Sequence, residues 1–67
     1  MTINLNGKSV ILPVGVETLA DLLVLYELQN RIVVVELNKE IILKDQYTVS
    51  RLSEGDSVEL IHFVGGG

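Results

Sequence analysis

The chain has 67 residues and a formal charge of −4, from nine acidic and five basic side chains, so a polyanion is repelled and nucleic acid is not an expected partner. With no cysteine, disulfides, thiolate metal sites and any side-chain thiol able to hold a persulfide or thioester are excluded. A hydrophobic fraction of 48% argues against disorder. No apolar run approaches the ~20 residues of a membrane helix, and Met1 leads into a strand-like segment instead of a signal peptide, so a cytoplasmic address without a membrane partner is expected.

At this length a single domain is expected, and a marginal one, because a chain of this size buries only about 60% of its unfolded surface. The first element is a hairpin, Ile3 to Leu5 and Lys8 to Leu12, joined by Asn6-Gly7. Asn-Gly between strand-like runs signals a two-residue turn in which both central residues need positive φ. That turn places Leu5 opposite Lys8, Ile3 opposite Val10 and Met1 opposite Leu12. Met1, Ile3, Leu5, Val10 and Leu12 then share the core face, while Thr2, Asn4, Ser9 and Ile11 face the other way.

Pro13-Val14-Gly15 breaks the second strand, and Thr18-Leu19-Ala20-Asp21 reads as a capping box with Asp in place of the usual Glu. Leu19, Leu22, Leu23 and Tyr26 follow at the spacing of one helical face, with Gln29-Asn30 as the expected helix end. The run from Ile32 to Leu37 is nearly continuous and β-branched, which suits an interior strand, with Val33, Val35 and Leu37 toward the helix and Val34 and Glu36 outward. Asn38-Lys39-Glu40 turns the chain into a short strand, Ile41 to Leu43. Lys44 to Leu52 carries no clear period, with Tyr47, Val49 and Leu52 as expected anchors. Glu54-Gly55-Asp56 makes another turn before a last strand from Val58 to Phe63.

The order β-β-α-β-β-β predicts an α+β fold: a mixed sheet of four to five strands covered on one face by one helix, with the last strand parallel beside the first. This is the β-grasp arrangement. It is expected to span residues 1–64, followed by a flexible C-terminal glycine tail at residues 65–67.

Side-chain chemistry is sparse. The one histidine, His62, falls near the end of a strand with no placed base or nucleophile, and no G-x-S-x-G pattern occurs, so a hydrolase has no support. Glu36, Glu40, Asp45 and Glu54 lack metal-ligand spacing and read as solubilising charges. No metal or cofactor is expected. The glycines do not precede a helix as a phosphate loop does.

What stands out is Gly65-Gly66-Gly67 directly after the last strand. A glycine-rich end can be an expression scar or a truncated linker, but without Cβ atoms it can also thread a channel too narrow for any other residue and reach about 10 Å past the strand. The α-carboxylate of Gly67 is the remaining chemical handle. It becomes electrophilic once an ATP-using enzyme converts it to an acyl-adenylate, and attack by sulfur then yields a thiocarboxylate that is anionic at neutral pH.

Five stretches carry a resemblance: Ile3-Asn4-Leu5-Asn6-Gly7-Lys8, Ala20-Asp21-Leu22-Leu23, Val35 to Ile42, Glu54-Gly55-Asp56 and His62-Phe63-Val64-Gly65-Gly66-Gly67. In this order, over 67 residues, the chain resembles the ThiS family of thiamine-pathway sulfur carriers, which are ubiquitin-like β-grasp proteins. The resemblance implies a carrier that is not itself an enzyme. Gly67, with Gly66, would be adenylated by an E1-like adenylyltransferase that consumes ATP. It would then be converted to thiocarboxylate by a sulfur donor system fed by a cysteine desulfurase, and emptied by a thiazole synthase. Partner contacts are expected at Gly65 and on a hydrophobic sheet surface built, by strand alternation, from Ile11, Val34, Ile61 and Phe63. The small subunit of molybdopterin synthase, a ubiquitin-like protein modifier and a non-covalent β-grasp interaction module stay open as alternatives, the first made less suitable by its usual greater length.

Overall fold

A computed structural model describes residues 1–62 of the chain. The elements run β1 (Thr2–Leu5), β2 (Lys8–Ile11), α1 (Leu19–Leu25), β3 (Val33–Leu37), β4 (Glu40–Ile42), a single 3-10 turn (Lys44–Gln46) and β5 (Ser57–His62). All five strands form one sheet in the order β2-β1-β5-β3-β4. β5 lies parallel to β1 and antiparallel to β3, so the sheet is mixed as expected. Phe63, Val64 and the expected tail at residues 65–67 lie outside the described residues.

The first hairpin has the predicted register, with Leu5 opposite Lys8 and Ile3 opposite Val10, and the Leu12 N–H donates to the Met1 carbonyl at 2.8 Å. Asn6 and Gly7 both take positive φ. The second hairpin repeats the device with Asn38 and Lys39, at φ 51° and 72°, between Leu37 and Glu40. The strand after it is therefore Glu40–Ile42, one residue earlier than the sequence suggests.

The helix covers one sheet face. Leu19, Leu22 and Leu23 are buried against Ile3, Leu5, Leu12, Val35, Leu52, Val58 and Leu60, which together make the core. Its first turn leaves no donor unpaired. Thr18 and Asp21 form the capping box, the Asp21 N–H donating to Thr18 Oγ1 at 3.2 Å and the Thr18 N–H to Asp21 Oδ2 at 3.1 Å. The N–H groups of Leu19 and Ala20 donate to the carbonyls of Ser50 and Tyr47 at 3.0 and 3.1 Å. These four groups are the ones a helix cannot satisfy from within. The stretch from Tyr47 to Leu52 thus supplies carbonyls to the helix start, which its side-chain pattern does not reveal. Tyr47 and Leu52 anchor it in the core as expected, whereas Val49 is 67% exposed.

The helix stops four residues before Gln29. Glu27 adopts φ 59°, its N–H donates to the Val24 carbonyl, and the Leu28 N–H reaches the Leu23 carbonyl at 2.8 Å. This is a Schellman end, and Leu28 packs on the core as such ends require. Tyr26, expected on the buried face, becomes the C-cap and is 41% exposed. A glycine usually fills the left-handed position, and a side chain there is strained. Glu27→Gly should therefore stabilise the fold by about 1 kcal/mol, raising Tm by about 4–8 °C in a domain of this size, as calorimetry would measure.

Asp21 accepts backbone N–H groups from Glu17 and Thr18, and these hold its carboxyl below its ordinary value of 3.8. Because the folded state favours the ionised form, the cap's contribution is fully present above that value and is lost as pH falls through the lower, folded one. Thermal melts across pH should show Asp21→Asn less stable than wild type at pH 7, with the gap narrowing below pH 3.8.

Candidate functional site

The sequence places its chemistry after β5, so the question for the described residues is how firmly β5 is held and what surrounds its end. β5 is a middle strand. Val58 and Leu60 are buried, and the strand pairs with β3 over its last five residues, from Leu37 opposite Val58 to Val33 opposite His62. On its other side, β1 pairs only with Ser57 and Val58. Beyond that point β1 has already turned away.

A side chain continues the pairing. Asn6 Oδ1 accepts the Leu60 N–H at 2.8 Å and Asn6 Nδ2 donates to the Leu60 carbonyl at 3.2 Å. One primary amide thereby imitates a β partner for both backbone groups of Leu60. Asn38 does the corresponding work at the start of β5: its Oδ1 accepts the Ser57 N–H at 2.9 Å, its own N–H donates to the Ser57 carbonyl at 2.7 Å, and its Nδ2 donates to Asp56 Oδ1 at 3.1 Å. Asp56 Oδ2 in turn accepts the Ser53 N–H, and the Gly55 N–H donates to the Thr2 carbonyl, so the turn before β5 is docked on β1. Glu54, read as a solubilising charge, also accepts the Thr2 N–H at 2.9 Å. Reading Asn6 only as a turn former misses its second role. The signal is present in the residue type, since Asn tolerates left-handed φ as Gly does and, unlike Gly, carries a side-chain donor and acceptor.

The residues expected on the outward sheet surface separate into two places. Val34 and Ile61 are directly opposite on β3 and β5, on the face away from buried Val35 and Leu60. Ile11 is also outward and 81% exposed. Its pairing with Thr2, and that of Asn4 with Ser57, put it six residues lower on the sheet than Ile61, about 20 Å at ~3.3 Å per residue, and two strands across. Ile11 therefore does not join Val34 and Ile61 in one contact patch. Phe63, Gly65, Gly66 and Gly67 lie outside the described residues.

Nothing else among the described residues assembles a reaction. His62 ends β5 opposite Val33 and is exposed. No group of His, Asp and Glu is placed to hold a metal ion, and no helix is long and apolar enough to cross a membrane. A cleft of about 380 Å³ opens between the helix end and the 3-10 turn, with Leu23, Leu28, Ile32, Arg31, Lys44 and Tyr47 among its walls. No carboxylate or imidazole lines it, so it lacks the acid–base pair expected of an active site.

The Asn6 amide gives a direct test of how β5 is fixed. Asn6→Gly keeps the turn conformation but removes both bonds to Leu60, and it should destabilise the protein by about 1–3 kcal/mol. Hydrogen exchange should show the Leu60 amide losing protection; were Asn6 only a turn residue, the glycine would be neutral or stabilising.

Comparison with known proteins agrees with this geometry. The family model for the ThiS family matches residues 2–67. The sulfur carrier protein ThiS of Bacillus subtilis (strain 168) is 49% identical over 65 residues, covering 97% of this chain and 98% of that protein. The crystal structure of a thiamine biosynthesis protein, ThiS, from Geobacter metallireducens superposes with a TM-score of 0.82 at 30% identity, each chain covered completely. An NMR solution structure of a thiamine biosynthesis protein from the same organism gives 0.82 and 30%, over all of this chain and 88% of that one. With the sheet order, the single covering helix and a match that runs nearly the whole length, the chain is a β-grasp protein and belongs to the ThiS family.

Proposed function

We propose that this protein is a sulfur carrier whose working group is the terminal carboxylate of Gly67, and that it serves as a co-substrate of partner enzymes and not as a catalyst. What supports this reading most is its 49% identity, over nearly the full length, to a protein named as a sulfur carrier.

The chemistry has two steps. A carboxylate oxygen of Gly67 attacks the α-phosphorus of ATP, forming an acyl-adenylate and releasing pyrophosphate, on an E1-like adenylyltransferase that binds the nucleotide. A sulfide-equivalent nucleophile, supplied by a donor system fed by a cysteine desulfurase, then adds to the acyl carbon and expels AMP, leaving a thiocarboxylate. This sulfur is delivered to a thiazole synthase for the thiazole ring of thiamine. Glycine at 65, 66 and 67 suits both transfers, since no Cβ obstructs approach to the last carbonyl. The protein's own contribution is positional. β5, paired on both sides at its start and held at Leu60 by Asn6, gives the partner a fixed point from which to receive the residues that follow.

Deleting Gly66 and Gly67 separates this reading from a non-covalent interaction module. The truncated protein should melt within about 0.5 kcal/mol of wild type, as expected for a change outside the core, and should support no thiazole formation. Normal thiamine synthesis by the truncated protein would overturn the proposal. Mass spectrometry of protein co-expressed with its activating enzyme should show one terminal oxygen replaced by sulfur, whereas recovery of conjugates to lysines of other proteins would point to a modifier instead.

A further inference from the structure

The helix lies on one face of the sheet, and no described element covers the other, the open face. On the helix side, too, the cover is incomplete. α1 ends at Leu25, β3 begins only at Val33, and the 3-10 turn at Lys44–Gln46 closes the far side of the gap. The cleft of about 380 Å³ described above lies there. Its size is at the lower end of the roughly 300–1,000 Å³ of small-molecule sites.

Its walls are of two kinds. Leu23, Leu28, Val33 and Tyr47, which belong to the core or pack against it, make an apolar lining, while Val24 and Ile32, 56% and 79% exposed, leave aliphatic surface in water beside it. Arg31 and Lys44 are the charged residues of the wall, and no carboxylate accompanies them. In a chain with nine acidic and five basic side chains, that reverses the general balance. Neither cation is in a salt bridge among the described residues; the one found there joins Arg51 to Glu17 at the helix start. The helix end does not offset them with free acceptors either, because the carbonyls of Leu22, Leu23 and Val24 already accept the N–H groups of Tyr26, Leu28 and Glu27. Burial pushes the Tyr47 phenol above its ordinary value of 10.0, so at neutral pH it is a hydrogen-bond donor and adds no negative charge.

We infer that this cleft binds a small organic anion with an apolar body, of the aliphatic carboxylate class, its chain against Leu23, Leu28 and Val33 and its head met by Arg31 and Lys44. The occupant follows from the two kinds of wall. The apolar lining gains from any hydrocarbon that displaces water but is indifferent to what the hydrocarbon carries. The two cations decide the head: an amine is repelled, an alcohol gains little, and a carboxylate accepts charge-assisted bonds from guanidinium and ammonium. The site is separate from the carrier chemistry proposed for Gly67, and neither reading depends on the other.

Decanoate is the probe. Titrated as a monomer into the intact, isotopically labelled chain, it should bind saturably with a Kd of about 1 mM or tighter. It should shift the backbone amides of Leu28, Arg31, Ile32 and Tyr47 more than those of β1 and β2, and raise Tm with concentration. Decanol, with the same chain and no charge, should bind about tenfold or more weakly, a comparison made on the wild type alone. Arg31→Gln/Lys44→Gln alters two exposed side chains, so it should fold as wild type does and bind decanoate no better than decanol. Lys8→Gln/Lys39→Gln removes the same charge outside the cleft and should leave decanoate binding unchanged. Absence of saturable binding, equal affinity for the two probes, or an equal loss in both double variants would each overturn the inference. So would a response to vesicles containing anionic lipid without one to monomeric decanoate, which would make the same residues a membrane contact.

Discussion

Everything in this fold turns on keeping β5 in the middle of the sheet. It is the last of the described elements along the chain, yet it joins two hairpins that share no strand pairing with each other, β1–β2 on one side and β3–β4 on the other. Val58 and Leu60 point into the core that the helix closes, and the first turn residue of each hairpin reaches across to it, Asn38 at Ser57 and Asn6 at Leu60. Each asparagine does two things at once. Its backbone takes the left-handed conformation the turn needs, and its amide satisfies groups on β5 for which the neighbouring strand has no residue left. Without the inserted strand, the two hairpins would each be a two-stranded ribbon, marginal in water.

Much of this was legible in the residues, and what was not has physical reasons. The Asn6-Gly7 turn, its register and the Thr18–Asp21 cap are local devices, decided by residues a few positions apart, and they stand as read. The helix end was not legible because the chain reverses at Glu27 in a conformation that favours glycine, with Leu28 burial holding it there. Asn30, the residue whose type suggests an end, has no such part. Lys44 to Leu52 gave no period because much of its bonding is through backbone carbonyls, which sequence does not display. Val49 suggests an anchor by its hydrophobicity alone, yet it faces water.

The same distinction governs the candidate site. Alternation along a strand tells which face a side chain takes, so it places Ile11, Val34 and Ile61 outward, the face on which the sheet carries them. It says nothing about height on the sheet, which depends on where a distant strand starts to pair. Only the Asn4–Ser57 register shows that Ile11 lies far from the other two. Glu36 and Glu59, read singly, are ordinary surface charges; twenty-three positions apart in the chain, they become a pair only through the β3–β5 ladder. Long-range pairing, which the sequence leaves implicit, thus decides what the open face offers.

The Asn6 clamp also concentrates a chemical liability in one side chain. Asparagine followed by glycine is the dipeptide most exposed to loss of its side-chain nitrogen, and here that nitrogen is the donor to the Leu60 carbonyl. Conversion to aspartate leaves an acceptor facing an acceptor across the gap, and conversion to the β-linked isomer lengthens the turn itself. The hairpin that steadies the exit strand thus rests on a bond that the loss of a single nitrogen would turn into a repulsion.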